Sequence, residues 1–352
     1  MAGGERASRA PRGGARGTSL VVRLARTWYA PKRDALALAL APASWLFGAV
    51  VALRRAAYRR GWLRRERLPV PVVVVGNVTV GGTGKTPLVI ALARALAEKG
   101  RRPGVISRGH GRAQGGALVL DASATADVAG DEPVLIARAG LVVAVGRDRA
   151  AAGRALLAAH PGVDVVLADD GLQHYRLARD FEVAVIDGGR GVGNGALLPA
   201  GPLREPAARL GTVDAVVVNG ELAPALAIAA PVFHMRLVGS TFRQVAAPAR
   251  MLDASAFRGA RVHAVAAIGH PERFFALLRA LGIDASTHAF PDHHRFTRDE
   301  LAWDDADAVL MTEKDAVKCE AFADARCWFL PVIAEVDGAL VERIGRALAV
   351  AR

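Results

Sequence analysis

The sequence predicts an α/β protein: a larger domain on a mostly parallel sheet, a smaller C-terminal α/β domain, and an N-terminal helix that associates with a membrane. Three observations predict it. From residue 72 onward, short β-branched runs alternate with helix-length stretches, the rhythm of a parallel sheet covered on both faces. The first of those runs leads straight into a glycine-rich turn, and an apolar stretch from Ala35 to Leu53, bracketed by arginines, precedes both. With 352 residues, 52% of them hydrophobic, the chain is long for one core and comfortable for two.

Residues 1–18, rich in Gly, Ala and Arg, read as a disordered basic tail, and 19–67 as a basic, apolar helical segment. The formal charge of +12 resides here, because residues 1–67 hold 15 of the 46 basic and 3 of the 34 acidic residues and the rest of the chain is neutral. That location excludes a nucleic-acid surface spread over the fold and points to an anionic membrane surface. A 19-residue helix reaches roughly 28 Å, close to the roughly 30 Å of a bilayer core. Pro42 and the many alanines weaken a span, and a span would leave one arginine-rich flank on the outer side. Lying in the cytoplasmic leaflet lets both flanks meet anionic headgroups, each cation contributing about 1 kcal/mol. The expectation is therefore interfacial, monotopic attachment. A cleaved signal peptide fits poorly, since the basic region ahead of the apolar stretch is too long.

A core domain over 68–230 begins at Val72-Val73-Val74-Val75-Gly76-Asn77-Val78, a strand that enters Thr79-Val80-Gly81-Gly82-Thr83-Gly84-Lys85-Thr86. Such a turn points successive N–H groups inward around a polyphosphate, and the following helix, with Leu88, Leu92 and Leu96 on one face, offers its positive N-terminus. The domain is thus of P-loop NTPase type, with residues 79–86 on the nucleotide, Lys85 on the β- and γ-phosphates and the Thr86 hydroxyl on Mg²⁺. The common template has glycine where Thr79 stands, and Thr makes that turn less easily. Further strands are expected at 103–107, 118–120, 141–145, 163–168, 181–186 and 213–219, with helices at 131–139 and 149–160. Residues 231–255 read as a linker of strand pairs. Residues 256–352 read as the smaller domain, with strands at 261–268 and 307–312, a helix at 271–281, and a closing strand and helix at 327–333 and 340–350. Its turn Ile268-Gly269-His270-Pro271 sits at a strand's C-terminal end, where open α/β sheets hold ligands. Cys319 and Cys327 lack metal-ligand spacing and read as free thiols.

The acidic residues suggest roles. The apolar strand from Val163 ends in Asp169-Asp170-Gly171, a place from which a carboxylate reaches Mg²⁺ beside the γ-phosphate. An Asp-Gly turn is the ordinary alternative. Gly130-Asp131-Glu132-Pro133 puts two acids at a helix start, where they either cap the helix or hold a proton-accepting carboxylate rigidly. Asp292-His293-His294-Arg295 lies between aromatic residues; adjacent histidines point apart, so one of the two would enter a site. Arg204, in a proline-stiffened loop, fits a phosphate clamp or an ordinary surface arginine.

Taken in order, GNVTVGGTGKTP, SRGHGR, GDEP, DDGLQH, LLPAGPLREP, DHH and MTEKDAVK, behind a basic apolar N-terminal helix, make residues 20–350 resemble the tetraacyldisaccharide 4′-kinases of lipid A synthesis. The resemblance implies ATP- and Mg²⁺-dependent phosphorylation of the 4′-hydroxyl of a lipid A disaccharide 1-phosphate at the cytoplasmic face of the inner membrane, with no obligate protein partner. It further implies that Asp131 is the base and Glu132 its acidic neighbour on the metal side. Asp169 and Asp170 become metal-side carboxylates, His293 the partner of the base, and Arg204 a contact to the phosphates. Two departures stand out: His110 replaces a Tyr in SRGYGR, and Leu172 a Phe in DGFQH. A partitioning-type switch ATPase would place a lysine where Val80 stands, and a GTPase would not carry Glu313 within Thr312-Glu313-Lys314-Asp315. Both rival readings lose on those residues.

Overall fold

The computed structural model describes residues 20–350 except Pro31, Gly111, Ala113, Gln114, Ala122 and 223–225; the expected basic tail 1–18 lies outside them. The described residues form two compact units, a core unit within 24–239, 268–270 and 332–350, and a smaller unit of 20–23, 240–267 and 271–331.

The strands run β1 Val72–Gly76, β2 Pro103–Ser107, β3 Leu118–Val119, β4 Val142–Val145, β5 Val165–Asp169, β6 Phe181–Asp187, β7 Ala215–Asn219 and β8 Val232–Val238. There follow β9 Thr241–Gln244, β10 Met251–Asp253, β11 Val262–Ala266, β12 Ala285–Ala289, β13 Ala308–Thr312, β14 Cys327–Leu330 and β15 Ile333–Val336. The helices are α1 Leu20–Trp28, α2 Ala35–Ala39, α3 Ala41–Arg59, α4 Lys85–Glu98, α5 Ala126–Ala129, α6 Asp131–Arg138, α7 Arg149–Ala159, α8 Pro271–Ala280, α9 Glu313–Cys319 and α10 Gly338–Val350.

The core unit's nine-stranded sheet has the order β15-β8-β7-β6-β1-β5-β2-β4-β3. It is parallel from β8 to β4, and β15 and β3 close its two edges antiparallel. Period-two alternation explains how one strand serves two layers. In β1, Val73 and Val75 enter the core shared with α4 and α10, whereas Val72 and Val74 enter the opposite one with Leu156 of α7. A strand buried on both faces must be continuously apolar, as Val72–Val75 is. The smaller unit has its own sheet, β10-β9-β14-β13-β11-β12, parallel from β14 to β12.

Three sequence-based boundaries are corrected. The stretch 231–255 is not a separate linker, since β8 joins the core sheet beside β7, while the strand pair expected here is β9 with β10, which belongs to the smaller sheet through β14. The tail does not complete the smaller domain: β15 returns to pair with β8, and α10 buries Leu340, Ile344 and Leu348 in the core unit. The boundary at 67/68 does not separate two bodies either, since the segment before it is hydrogen-bonded to the core unit. Trp28 Nε1 donates to Pro199 O at 2.8 Å, Tyr29 Oη to Val80 O at 3.1 Å and Ser44 Oγ to Leu197 O at 2.5 Å. Pro42 interrupts nothing, because it occupies the first turn of α3, where no partner for its missing N–H is needed. No helix among the described residues is long and apolar enough to cross a membrane.

Candidate active site

The phosphate loop forms between β1 and α4 as the sequence predicts. Gly81 (φ 108°) and Gly84 (φ 90°) adopt left-handed backbone, which disfavours any Cβ. Thr79 is extended and forms a bridge with Leu203, so the usual glycine is not required there, and the expected steric difficulty does not arise. Gly84 is the N-cap of α4 and no side chain caps that terminus, which leaves the helix's first N–H groups to an incoming anion. The Leu198–Pro206 loop is tied beside it: Val80 N donates to Pro202 O at 2.8 Å and Arg204 N to Val78 O at 2.7 Å. That pairing delivers the Arg204 side chain.

Arg204 Nη1 donates to both oxygens of Asp170 at 3.0 Å, and Lys85 Nζ lies 3.6 Å from Asp170 Oδ1. Asp170 itself is held at φ 47°. Burial pushes its carboxyl up, but Lys85 and Arg204 outweigh burial and hold it well below the usual carboxylate range. Asp169, one residue earlier and fully buried, goes the other way. Burial first, then the charges of Glu132 and Asp170, push it up to about 7 against the pull of Lys85. Its Oδ2 accepts from Ser107 Oγ at 3.4 Å, while Oδ1 is buried with no hydrogen-bond partner.

Asp131 is buried at the first position of α6, where its Oδ1 accepts from Glu132 N at 2.9 Å. The preceding Gly130 has φ 91°, and a Cβ there would come within 2.7 Å of His110 O. The SRGHGR and GDEP motifs therefore touch through backbone. Leu172 packs its Cβ side against Gly76 and is fully buried, so an aliphatic residue suits that position.

His293 belongs to the smaller unit. It has φ 62°, its N donates to Ala267 O at 3.3 Å, and its Nε2 lies 3.8 Å from Asp292 Oδ1. His294 is committed within that unit, its Nε2 3.1 Å from both Glu300 oxygens and its ring stacked on Phe290.

Asn219 and Asp187, which sequence reasoning missed, and Gly269 and His270 of the turn it had read as a ligand position complete the loop's surroundings. Asn219 Nδ2, at the end of β7, donates to Thr83 O at 3.0 Å. Asp187, at the end of β6, is buried, accepts from Gly189 N and Arg190 N at 3.1 Å, and pairs with His270 Nδ1 at 2.8 Å. Gly269 lies so close to the loop that a Cβ on it would meet Gly82 N at 2.1 Å. Asp187 had a readable signal, since it ends its strand as Asp169 does, on the carboxyl edge of a parallel sheet.

Beside Asp170 and Arg204 opens a groove of about 610 Å³. Phe47, Val50, Val51 and Arg54 of α3 line it, together with Arg108 and Arg147. Arg149 and His174 line its floor; burial holds the His174 imidazole down to about 4, with the Arg149 charge next. The groove joins apolar side chains to a cluster of guanidinium groups, whose fork of donors matches a phosphate in geometry.

For a divalent cation the donor set fits. The orphaned Asp169 oxygen, the Glu132 charge beside it and the Thr86 hydroxyl at the start of α4 are hard oxygen ligands. Among the described residues no three His, Cys, Asp or Glu side chains converge into a ready-made cage. Mg²⁺ is a cation that one or two carboxylates hold together with substrate phosphates and water.

The comparisons agree with this geometry. The family model for tetraacyldisaccharide-1-P 4′-kinase, LpxK, matches residues 36–349. A tetraacyldisaccharide 4′-kinase of Azoarcus sp. is 56% identical over 320 residues, covering 90% of this chain and 93% of the relative. One of Alkalilimnicola ehrlichii is 53% identical over 324 residues, covering 92% and 96%. A crystal structure of LpxK from Aquifex aeolicus in complex with ATP superposes with a TM-score of 0.75 at 28% identity, over 89% of this chain and 99% of that one. The chain belongs to the tetraacyldisaccharide-1-phosphate 4′-kinase family, phosphotransferases with an alcohol acceptor.

Proposed function

We propose that this chain transfers the γ-phosphate of Mg·ATP to the 4′-hydroxyl of a tetraacyldisaccharide 1-phosphate, in lipid A synthesis, while docked at the cytoplasmic face of the inner membrane. The observation that carries the reading is the groove beside Asp170. An acylated sugar phosphate needs apolar surface for its chains and cations for its phosphate, and Phe47, Val50 and Val51 line that space together with Arg54, Arg108 and Arg147.

In this reading the loop 79–86 grips the triphosphate through backbone N–H groups, and Lys85 neutralises charge as the phosphoryl group moves. Thr86 and Asp169 would hold the metal with Glu132 nearby, whereas Asp170, expected from the resemblance as another metal-side carboxylate, is taken up by Lys85 and Arg204 and braces them so that both cations are aimed before substrate arrives. When bound, Mg²⁺ shields the phosphate oxygens and helps to orient them. Asp131 takes the proton of the acceptor hydroxyl, held at a rigid helix start as general-base chemistry requires. For His293 the reading is the one the resemblance implies, tested by H293A lowering turnover. Docking is supported by exposed apolar side chains on and after α3, among them Trp45, Leu46, Leu53 and Trp62, next to Arg54, Arg55, Arg59, Arg60, Arg64 and Arg65. Keeping the acyl chains in lipid avoids about 0.8 kcal/mol per extracted CH₂.

The test is incubation of the purified chain with γ-labelled ATP and tetraacyldisaccharide 1-phosphate in detergent micelles. A labelled lipid is expected. ATP hydrolysis that is indifferent to the lipid, with no labelled lipid product, would favour a switch ATPase instead.

A further inference from the structure

A second cavity, of about 260 Å³, lies beside the C-terminal end of α3, and nothing in the phosphoryl-transfer reading uses it. We propose that it binds the phosphate of an anionic phospholipid headgroup, separately from the acceptor. The proposal rests on the interfacial docking read above and adds a specific site to it.

Charge is the first argument. Five arginines line the cavity against three carboxylates, a net of two positive charges, and each carboxylate is already satisfied. Asp180 holds Arg67 Nη1 at 2.7 Å and accepts from Val72 N at 2.8 Å. Glu182 Oε1 takes Arg179 at 3.1 Å and Arg209 at 2.6 Å. Asp214 Oδ2 accepts from Glu182 N at 2.8 Å. Arg179 and Arg209 are thereby spent. The remaining three are not. Arg55 meets a hydroxyl, donating from Nη2 to Thr212 Oγ1 at 3.0 Å, while Arg59 and Arg65 are exposed and, among the described residues, pair with no carboxylate. Guanidinium groups without acids around a concave site match a phosphate in charge and in fork geometry.

The apolar surroundings favour a lipid over a free phosphate. Leu53 is 65% exposed just ahead of Arg55, and Trp62 and Leu63 are exposed between Arg59 and Arg65. Cations alternating with bare apolar side chains offer partners to a headgroup and to the first carbons of its tails, and Trp is the side chain suited to that depth. Tyr175 lines both this cavity and the acceptor groove. The two sites thus share a wall without sharing their cations.

The experiment titrates the full chain with dihexanoyl phosphatidylglycerol, below its micelle concentration, by calorimetry. R59Q/R65Q is compared with R60Q/R64Q, which removes the same charge from the same segment outside the cavity. Saturable binding is expected in wild type and in R60Q/R64Q, at least tenfold weaker in R59Q/R65Q, and undetectable with dihexanoyl phosphatidylcholine. Equal weakening in the two double variants would reduce the effect to bulk charge and overturn the site. Equal affinity for glycerol 3-phosphate would overturn the lipid assignment in favour of a free phosphate ester. Vesicle flotation separates the two readings. Flotation with no binding of the short-chain lipid sinks the site alone, whereas binding without flotation sinks the docking and leaves the site standing.

Discussion

Two adjacent aspartates on one strand end, Asp169 and Asp170, meet opposite fates because only one of them has cations. Asp170 is paired with Arg204 and Lys85. Asp169 has a hydroxyl, an orphaned oxygen and two acidic neighbours. A carboxyl whose folded pKa lies near 7, above its unfolded value of 3.8, favours the folded state only while protonated. Its contribution is therefore lost as pH rises between those two values, by on the order of a few kcal/mol. D169N removes the titration. The variant should be the more stable protein at pH 8 without Mg²⁺, with its advantage shrinking toward pH 5, while its kinase activity is abolished. Thermal unfolding of both proteins across that range checks this, and an advantage independent of pH would contradict it. Asp131 calls for a different signature. D131N keeps an oxygen that can accept from Glu132 N, so α6 should start normally and ATP affinity should stay within about twofold. Turnover should fall by roughly 10²- to 10⁴-fold, the range of a lost general base. Equal losses in affinity and turnover would remove Asp131 from the reaction.

Helix α4 shows why equal backbone angles do not mean equal consequences. Gly84 at its start and Gly100 just past its end both have left-handed backbone, φ 90° and 80°. A Cβ on Gly84 would stand 2.6 Å from Asn219 Nδ2 and 2.9 Å from Met235 Cε, whereas one on Gly100 would meet nothing within 4 Å. G100A should therefore cost only the left-handed penalty, about 1–2 kcal/mol of stability, and leave ATP binding intact. G84A should eliminate ATP binding, because it also displaces Asn219 from Thr83. G269A belongs with G84A despite its distance in sequence, since its Cβ would strike Gly82 N. ATP affinity of the three variants decides the matter, and an unchanged affinity in G269A would refute the close approach. The contrast also marks what a sequence can carry. Strand, glycine turn and helix were readable over 72–98 because consecutive residues hold the whole device. Asp169 was readable because an apolar run ends on it. Asp187 carried the same strand-end signal and the Gly269 turn was legible as a ligand position, but the role of Asn219 and the closeness of Gly269 to the loop were not, because they depend on β6 and β7 following β1 across the sheet and on a three-residue segment returning to the loop. Those adjacencies are decided by packing across the sheet and leave no local pattern. The tail escaped for the same reason, as a closing strand and helix look alike whichever sheet they complete.

At the scale of the whole molecule, the N-terminal segment must satisfy two demands, being part of the core unit and presenting an apolar surface. Its inward side is fixed by Trp28, Tyr29 and Ser44, bonded to Pro199, Val80 and Leu197, so deleting it would strip contacts from the phosphate loop and confuse docking with folding. Its outward side carries Leu46, 69% exposed, and Leu53, 65% exposed, two turns apart on one helical face. Neither lines the acceptor groove. L46E/L53E should therefore leave thermal stability and ATP affinity unchanged while weakening flotation with anionic vesicles. Burying a leucine side chain in lipid contributes roughly 1.5–3 kcal/mol, so losing two should lower vesicle affinity by at least about a hundredfold. Phosphorylation of an acceptor embedded in those vesicles should fall in parallel, and recover when the same acceptor is offered in detergent micelles. Rescue in micelles is the discriminating outcome, because damage to the groove would persist there. Undiminished flotation of the folded variant would show that α3 does not face lipid.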